Sequence, residues 1–350
     1  MLIARNLSAQ LIKASKADKT GSYTCPGCEG PVILKKGTRM IAHFAHANKS
    51  TCSSFSEGET EEHLKGKTAL YQAFKQEEIK VELEAQLQNL NQRPDVLAIY
   101  QGEEFAIEFQ CSPITVSEIV RRTQGYQKSG RKVIWLAGSR LANTHRLTSL
   151  QRAMIFDIAP GVFAFLHYDV WTGEIRCYRK FDPLVYEIMP SAVSVLTKDR
   201  STSWCSDSSA STNKPDKDKA LTYLNWKRQI RDKRHRAFFQ LVYEGQIRLD
   251  LLPVVIFTRL ETDWLISTPA VEWKLRIYQL ITTKSRFTVI TERHLRATID
   301  KWIEMRLIVY FTVPNILSDT VMLPIVSFLD QLTESGLLVK IQKYKWRQRS

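Results

Sequence analysis

The residues best suited to chemistry lie on one short apolar run. Phe105-Ala-Ile-Glu-Phe-Gln110 carries Glu108 and Gln110, and Asp95 stands thirteen positions before Glu108 in Arg93-Pro-Asp-Val-Leu97. Two carboxylates on neighbouring strands are hard oxygen donors of the kind that collect Mg²⁺ or Mn²⁺. Gln101-Gly-Glu-Glu104 reads as a tight turn, so the two runs should form a hairpin. With Gly102 and Glu103 as the central turn residues, Asp95 faces Gln110 and Leu97 faces Glu108. Side chains alternate along a strand, so Asp95, Glu108 and Gln110 then share a face. A solvated sheet face also carries acids at alternate positions. Glu108, however, is flanked by Ala106, Ile107, Phe109 and Cys111, and a carboxylate in so apolar a run needs a partner.

The elements around the hairpin must position it. Glu59 to Phe74 has helical periodicity, with Leu70, Ala73 and Phe74 as its apolar stripe. Towards the N-terminus that stripe passes through Lys67 and Gly66, then His63 and Glu62, then Glu59. The core side of the helix therefore turns polar at one end, as it would beside a buried site. An acidic first turn facing the helix dipole accounts for Glu59 and Glu61, but not for a Glu62-His63 pair on the core side. Thr115 to Lys128 is helical in pattern, with Ile119, Val120 and Tyr126 as apolar contacts. Val133 to Ala137, ended by Gly138, reads as a buried central strand. The sum is an α/β core.

A second chemical constellation precedes it. Cys25-Pro-Gly-Cys28 has the shape of a metal knuckle, because Pro and Gly let the chain turn both thiolates towards one ion. His43, His46 and Cys52 follow. Cys25, Cys28, His46 and Cys52 fit one tetrahedral zinc, with His43 as the substitute for His46. Val32–Gly37 and Thr38–His43 would form the hairpin between the ligand pairs. A redox Cys-x-x-Cys needs a long helix after it, which Gly30-Pro31 blocks.

The strings Glu-His-Leu-x-x-Lys, Arg-Pro-Asp-Val and Ile-Glu-Phe-Gln, in that order after the Cys-rich stretch, resemble the competence protein CoiA family over roughly residues 20–140. That family in turn resembles the restriction-endonuclease-like, or PD-(D/E)xK, nucleases. The resemblance implies a restriction-endonuclease-like core in a cytoplasmic bacterial protein that acts on incoming DNA during transformation. It implies Glu62 as the helical acid, Asp95 and Glu108 as the Mg²⁺ or Mn²⁺ carboxylates, and Gln110 in place of the usual Lys. His63 and Lys67 join the catalytic candidates. Gln offers hydrogen bonds where Lys offers charge. The alternative is a non-catalytic DNA-binding protein that protects single strands or hands them to a recombinase.

The chain has 350 residues and a net charge of +14. Residues 57–150 are near neutral, with 12 basic and 13 acidic side chains. The excess lies outside: 8 basic and 2 acidic in residues 1–56, 9 and 3 in 214–236, and 5 and none in 340–349. A neutral core with basic flanks suits an enzyme whose flanks hold a polyanion. Charge alone leaves nucleic acid and an anionic membrane surface both open, and the family resemblance implies DNA, with a single strand as the expected form. The candidate phosphate contacts are Lys227, Arg228, Arg231, Lys233 and Arg234, interleaved with aromatics, and Lys343, Lys345 and Arg347 near the end. No stretch is long and apolar enough for a membrane span, the N-terminus lacks a signal-peptide pattern, and there is no ATPase motif.

The expected organisation is a zinc module over 1–56, a nuclease-like core over 57–196, a Ser-rich linker over 197–219 and a basic, mainly helical domain over 220–350. Within the core, Val162–Phe181 reads as a hairpin extending or covering the sheet, with His167 a half-buried strand residue. The last domain should start a helix at Pro269, start another near Pro324, and end on a basic strand over Leu337–Trp346, a winged-helix-like ending.

Overall fold

The computed structural model describes residues 1–38, 40–47, 52, 60–87, 90, 92–142, 147–159, 162–183, 188–196, 217–283, 289–316 and 321–348. The Ser-rich stretch over 197–216 lies outside the described residues.

The N-terminal module is a five-stranded sheet of β1 (Ile3–Arg5), β2 (Leu11–Lys13), β3 (Tyr23–Thr24), β4 (Pro31–Lys35) and β5 (His43–His46), in the order β2-β1-β3-β4-β5. The expected hairpin is present, but its second strand is His43–His46, not Thr38–His43. Val32 pairs with His46, which brings His46 back to the Cys25–Cys28 knuckle.

The central sheet holds the acids. Its strands are β6 (Lys80–Leu83), β7 (Val96–Tyr100), β8 (Glu103–Gln110), β9 (Lys132–Ala137), β10 (Phe156–Ala159), β11 (Val162–Asp169), β12 (Glu174–Pro183) and β13 (Ile188–Leu196). The main order is β13-β12-β11-β9-β8-β7-β6, with β10 on β11. The Val162–Phe181 hairpin thus extends the sheet. β9 runs parallel to both β8 and β11, so the C-terminal ends of β8 and β9 meet at one edge.

Two long helices cover opposite faces. α1 (Glu61–Gln76) packs Leu64 and Leu70 against Val96, Ala98, Ile107 and Phe109. Ala73, expected in its apolar stripe, is exposed, and Leu64 takes that role. α2 (Val116–Lys128), capped by Thr115, packs Ile119 and Tyr126 against Leu97, Ala106, Val133 and Trp135. A short α3 (Ser149–Ala153) follows β9. Gly66 sets the approach of α1: a Cβ there would lie 2.1 Å from the Phe109 ring. Only a residue without a side chain lets the helix sit this low on β8.

The hairpin register differs from expectation by two residues. Tyr100 pairs with Glu103 and Val96 with Ile107, so the turn is centred on Gln101 and Gly102. Both have positive φ, 51° and 81°, as a two-residue type I′ turn requires. This register sets Asp95, one residue before β7, across from Glu108 rather than from Gln110.

The C-terminal part contains α4 (Lys217–Gln229), α5 (Arg236–Glu244), α6 (Ala270–Thr282), β14 (Val289–Thr291), α7 (Glu292–Glu304), α8 (Leu323–Glu334), β15 (Leu338–Gln342) and β16 (Lys345–Gln348). α4 begins three residues before the expected domain start. α4 ends at Gln229, and the chain turns where Arg231 has φ 51° and Asp232 caps the next turn. Pro269 is the cap of α6 rather than its first residue. The expected terminal strand is a hairpin, because the chain reverses at Lys343-Tyr344, where Tyr344 has φ 62°. The order α6-β14-α7-α8-β15-β16, with sheet order β14-β16-β15, is a winged-helix arrangement.

This part shares a core with the central sheet. Trp264 is fully buried, with ring centroids 5.2 Å from Phe163 and 5.0 Å from Phe181. Asn315 Nδ2 donates to the Val133 carbonyl at 2.8 Å.

Because the Phe109 ring is itself buried, Gly66→Ala must push α1 or the ring away. We expect a destabilisation of about 1–3 kcal/mol, the usual cost of overpacking, measured by denaturant unfolding against wild type.

Candidate metal centres

The acids come together at the strand ends. β7 stops at Val96, so the Phe109 amide has no strand partner there. Asp95 supplies one: its Oδ2 accepts from Phe109 N at 2.9 Å and is 3.1 Å from His63 Nε2. Its Oδ1 is 3.7 Å from Lys67 Nζ. Burial alone would raise the Asp95 carboxyl, but His63, Lys67 and the Phe109 amide outweigh it and hold the group well below the usual carboxylate range.

Glu108 points to the other face of the sheet, and its Oε1 accepts from both Arg122 and Tyr126. Arg122 and Tyr126 are four apart on α2 and face the sheet together. Burial first, and the Asp95 charge after it, push Glu108 up to about 7, against the pull of Arg122 and Tyr126. Among the described residues, Asp95 Oδ1 and Glu108 Oε2 accept no hydrogen bond. Asp95 is half-buried and Glu108 buried, and carboxylate oxygens are hard donors of the kind divalent cations take.

The other candidates are engaged by the backbone. Glu62 Oε1 accepts from Ser139 N at 2.7 Å, just past the end of β9. Gln110 is buried on β8 and donates through Nε2 to the Ser112 carbonyl at 2.8 Å. His167 is buried rather than half-buried, and neither ring nitrogen has a hydrogen-bond partner among the described residues.

Sequence reasoning passed over Glu84, Arg93, Arg122 and Tyr126. Glu84, 3 % exposed, accepts from Lys67 Nζ at 2.7 Å, and Arg93 lies 3.6 Å away. The i, i+4 spacing of Arg122 and Tyr126 was the available signal for that pair. Glu84 offered none.

The second centre lies in the N-terminal module. The ligand atoms of Cys25, Cys28, His46 and Cys52 all fall within 4.8 Å of one another. Cys25 Sγ is 3.9 Å from Cys52 Sγ, and Cys28 Sγ is 3.3 Å from His46 Nε2. A tetrahedral ion with ~2.3 Å bonds to sulfur and ~2.0–2.1 Å bonds to nitrogen needs edges of roughly 3.5–3.8 Å, so the donors fit. Burial, with the positive charges of the N-terminal amine and Arg93, lowers His46, which keeps its imidazole neutral as a ligand must be. His43 is elsewhere: its Nδ1 is 2.9 Å from the Ile41 carbonyl.

Of the proposed DNA contacts, Arg228, Arg231, Lys233, Arg234, Lys343, Lys345 and Arg347 are exposed, and Lys227 is half-buried. Lys227 lies over the Trp226 ring, 4.6 Å from its centroid, and Arg234 donates to the Ser267 carbonyl at 3.0 Å. No helix among the described residues is long and apolar enough to cross a membrane.

A mixed α/β sheet with acids gathered at its strand ends is nuclease-like, and residues 59–204 match the family model of the competence protein CoiA nuclease-like domain. Residues 5–55 and 218–350 match the models of the CoiA N-terminal and C-terminal domains. The chain belongs to the competence protein CoiA family. It is 27 % identical over 285 residues to a protein described as competence protein CoiA from Bacillus subtilis (strain 168), covering 75 % of this chain and 73 % of that one. No solved structure matches it.

Elemental analysis should find about one metal ion per chain in the Cys/His cluster. His46→Ala or Cys28→Ser should remove most of it, and His43→Ala should retain it.

Proposed function

We propose that this protein processes incoming DNA in natural competence, as a nuclease whose Asp95–Glu108 centre takes Mg²⁺ or Mn²⁺. The observation that carries the reading is the pair of carboxylates on adjoining strands, Asp95 half-buried and Glu108 buried, each with one oxygen free of hydrogen bonds among the described residues. The core would have a restriction-endonuclease-like fold, and the Cys/His cluster would hold a structural zinc. A bound divalent ion would supply Lewis-acid activation of water and of the scissile phosphate. The chain's own residues do the rest. Phe109 N and His63 orient Asp95, and Arg122 with Tyr126 orients Glu108. Glu62 would complete the centre directly or through water, and the Phe109 carbonyl would offer a further oxygen. Gln110, whose Nε2 donates to the Ser112 carbonyl, would have to turn from it to hydrogen-bond water or phosphate, and adds no charge in either position. The cations on α4, in the turn after it and on the β15–β16 hairpin hold the backbone of a DNA strand, and Trp226 offers a stacking face.

A second reading has an observation in its favour. Asp95 and Glu108 already have cationic neighbours, and Gln110 is turned to Ser112. A non-catalytic protein that protects single-stranded DNA or passes it to a recombinase would carry its centre in this closed form. The cytoplasm is the compartment either role requires.

Asp95→Ala and Glu108→Ala should each reduce Mn²⁺-dependent DNA cleavage by about a hundredfold or more. Cleavage should also rise with pH through about 7, because Glu108 is protonated below that value and a neutral carboxyl is a poor ligand. Wild-type protein that cuts neither single-stranded nor duplex DNA with any divalent ion would favour the second reading.

Reversing the charge of Arg228, Arg231 and Lys233 tests the DNA surface. Affinity should fall, and the salt dependence should flatten by about 0.7–0.9 in log–log slope per lost phosphate contact. An unchanged slope would remove these residues from the interface.

A further inference from the structure

We propose that Glu84 is a positioning residue for the divalent-metal centre, holding the Lys67 ammonium off Asp95 with the help of backbone amides from the N-terminal module. The role rests on the reading of Asp95 and Glu108 as metal ligands.

Glu84 directly follows β6, and its own amide donates to the Asp95 carbonyl at 2.9 Å. Its carboxylate accepts Lys67 Nζ at 2.7 Å, Leu2 N at 2.9 Å on both oxygens and Ile3 N at 3.0 Å. A carboxylate and an ammonium, each with a side chain 1 % exposed, are costly to bury unless charge and hydrogen bonding are both satisfied. Here Lys67 and Arg93 answer the charge, and the N-terminal module answers the lone pairs.

The consequence falls on Asp95. Lys67 Nζ is 3.7 Å from Asp95 Oδ1, the oxygen that accepts no hydrogen bond among the described residues. An ammonium and a divalent ion compete for that oxygen. A charged Glu84 keeps the ammonium at hydrogen-bond distance from itself. If Glu84 is neutral, Asp95 becomes the strongest anion within reach of Lys67, which then closes on it. The N-terminal module is coupled to this choice. Ile3 begins β1, and Arg5 on the same strand pairs with Thr24, the residue before Cys25. The amides that hold Glu84 and the first ligand of the Cys/His cluster therefore belong to one small sheet.

Glu84→Gln keeps the shape and removes the charge. Full-length protein with its Cys/His cluster loaded with zinc would be titrated with Mn²⁺, and free Mn²⁺ followed by electron paramagnetic resonance. Glu84→Gln should bind Mn²⁺ about tenfold or more weakly than wild type. Lys67→Gln in the same background removes the competing ammonium and should return the affinity to within about threefold of wild type. If Glu84→Gln does not fold, Lys67→Gln with and without it makes the same comparison, and the two should bind alike. Wild-type affinity in a folded Glu84→Gln, or a double variant as weak as Glu84→Gln alone, overturns this role and leaves the metal centre standing. Wild-type protein with no Mn²⁺ site sensitive to Asp95→Ala overturns both.

Discussion

An ammonium group buried as deeply as that of Lys67 has to be answered by fixed anions, and here those anions come from two different strand ends. Glu84 takes the hydrogen bond at the end of β6, and Asp95 stands 3.7 Å away at the start of β7. One residue of α1 thereby fixes the helix to the sheet edge. Separating such a pair inside a protein would leave an uncompensated charge, so the helix cannot slide along the sheet without breaking it. Gly66 makes the pair possible, since α1 approaches β8 closely enough for Lys67 to reach only where Phe109 meets no Cβ. The N-terminal module is held by the same carboxylate through Leu2 and Ile3. Three parts of the chain thus meet at one buried ion pair.

The opposite face of the sheet repeats the device with other residues. Glu108 is held by Arg122 and Tyr126 of α2, and α2 is itself oriented by the bond from Trp135 Nε1 to Thr123 Oγ1 at 3.0 Å. Asp95 and Glu108 therefore adjoin across the hairpin while drawing their supporting cations from opposite layers. Their environments push them apart: Asp95 is held ionised, while Glu108 is raised towards neutrality by burial and by Asp95 itself. Divergence of this kind occurs at functional sites and in structural ion-pair networks alike. It appears at the C-terminal ends of the sheet's parallel strands, where open α/β sheets leave room for ligands.

Much of this was legible in the sequence because the chemistry was local. Glu108 in an apolar run, a Glu62-His63 pair on a helix's inner side, and a Cys-Pro-Gly-Cys turn each announce themselves within a few residues. The hairpin register was misread by two positions, a slip that preserves alternation and keeps Glu108 and Gln110 on one face. Asp95 precedes β7 and leaves that alternation, so it lies with His63 and Lys67 on the α1 side while Glu108 lies with Arg122 and Tyr126 on the α2 side. Glu84 was illegible for a different reason. In Val81-Glu-Leu-Glu84 the two acids look alike, but Glu82 is exposed and Glu84 is buried. Only a contact 82 residues distant, to Leu2, tells them apart. His46 was preferred to His43 from the sequence, and the pairing of Val32 with His46 is what places it at the cluster. The terminal hairpin was read as one strand because Tyr344 reverses the chain at positive φ without a glycine to signal it.

The basic C-terminal part was expected as a module beyond a linker, and its attachment changes what its charge means. Trp264 enters the core beneath the central sheet between Phe163 and Phe181, and Asn315 bonds to the β9 backbone. Removing this part would expose aromatic surface of the sheet as well as delete cations, so truncation mixes two effects that charge reversal separates. The attachment also constrains the DNA reading. Cations on a freely tethered domain would raise the local concentration of DNA without orienting it. Cations on a body that shares a core with the sheet have a fixed direction relative to Asp95 and Glu108, and orientation is the larger part of what a phosphate-cleaving site requires of its protein. The same buried contacts that keep the winged-helix part in place are therefore what would let its surface charge act on the chemistry.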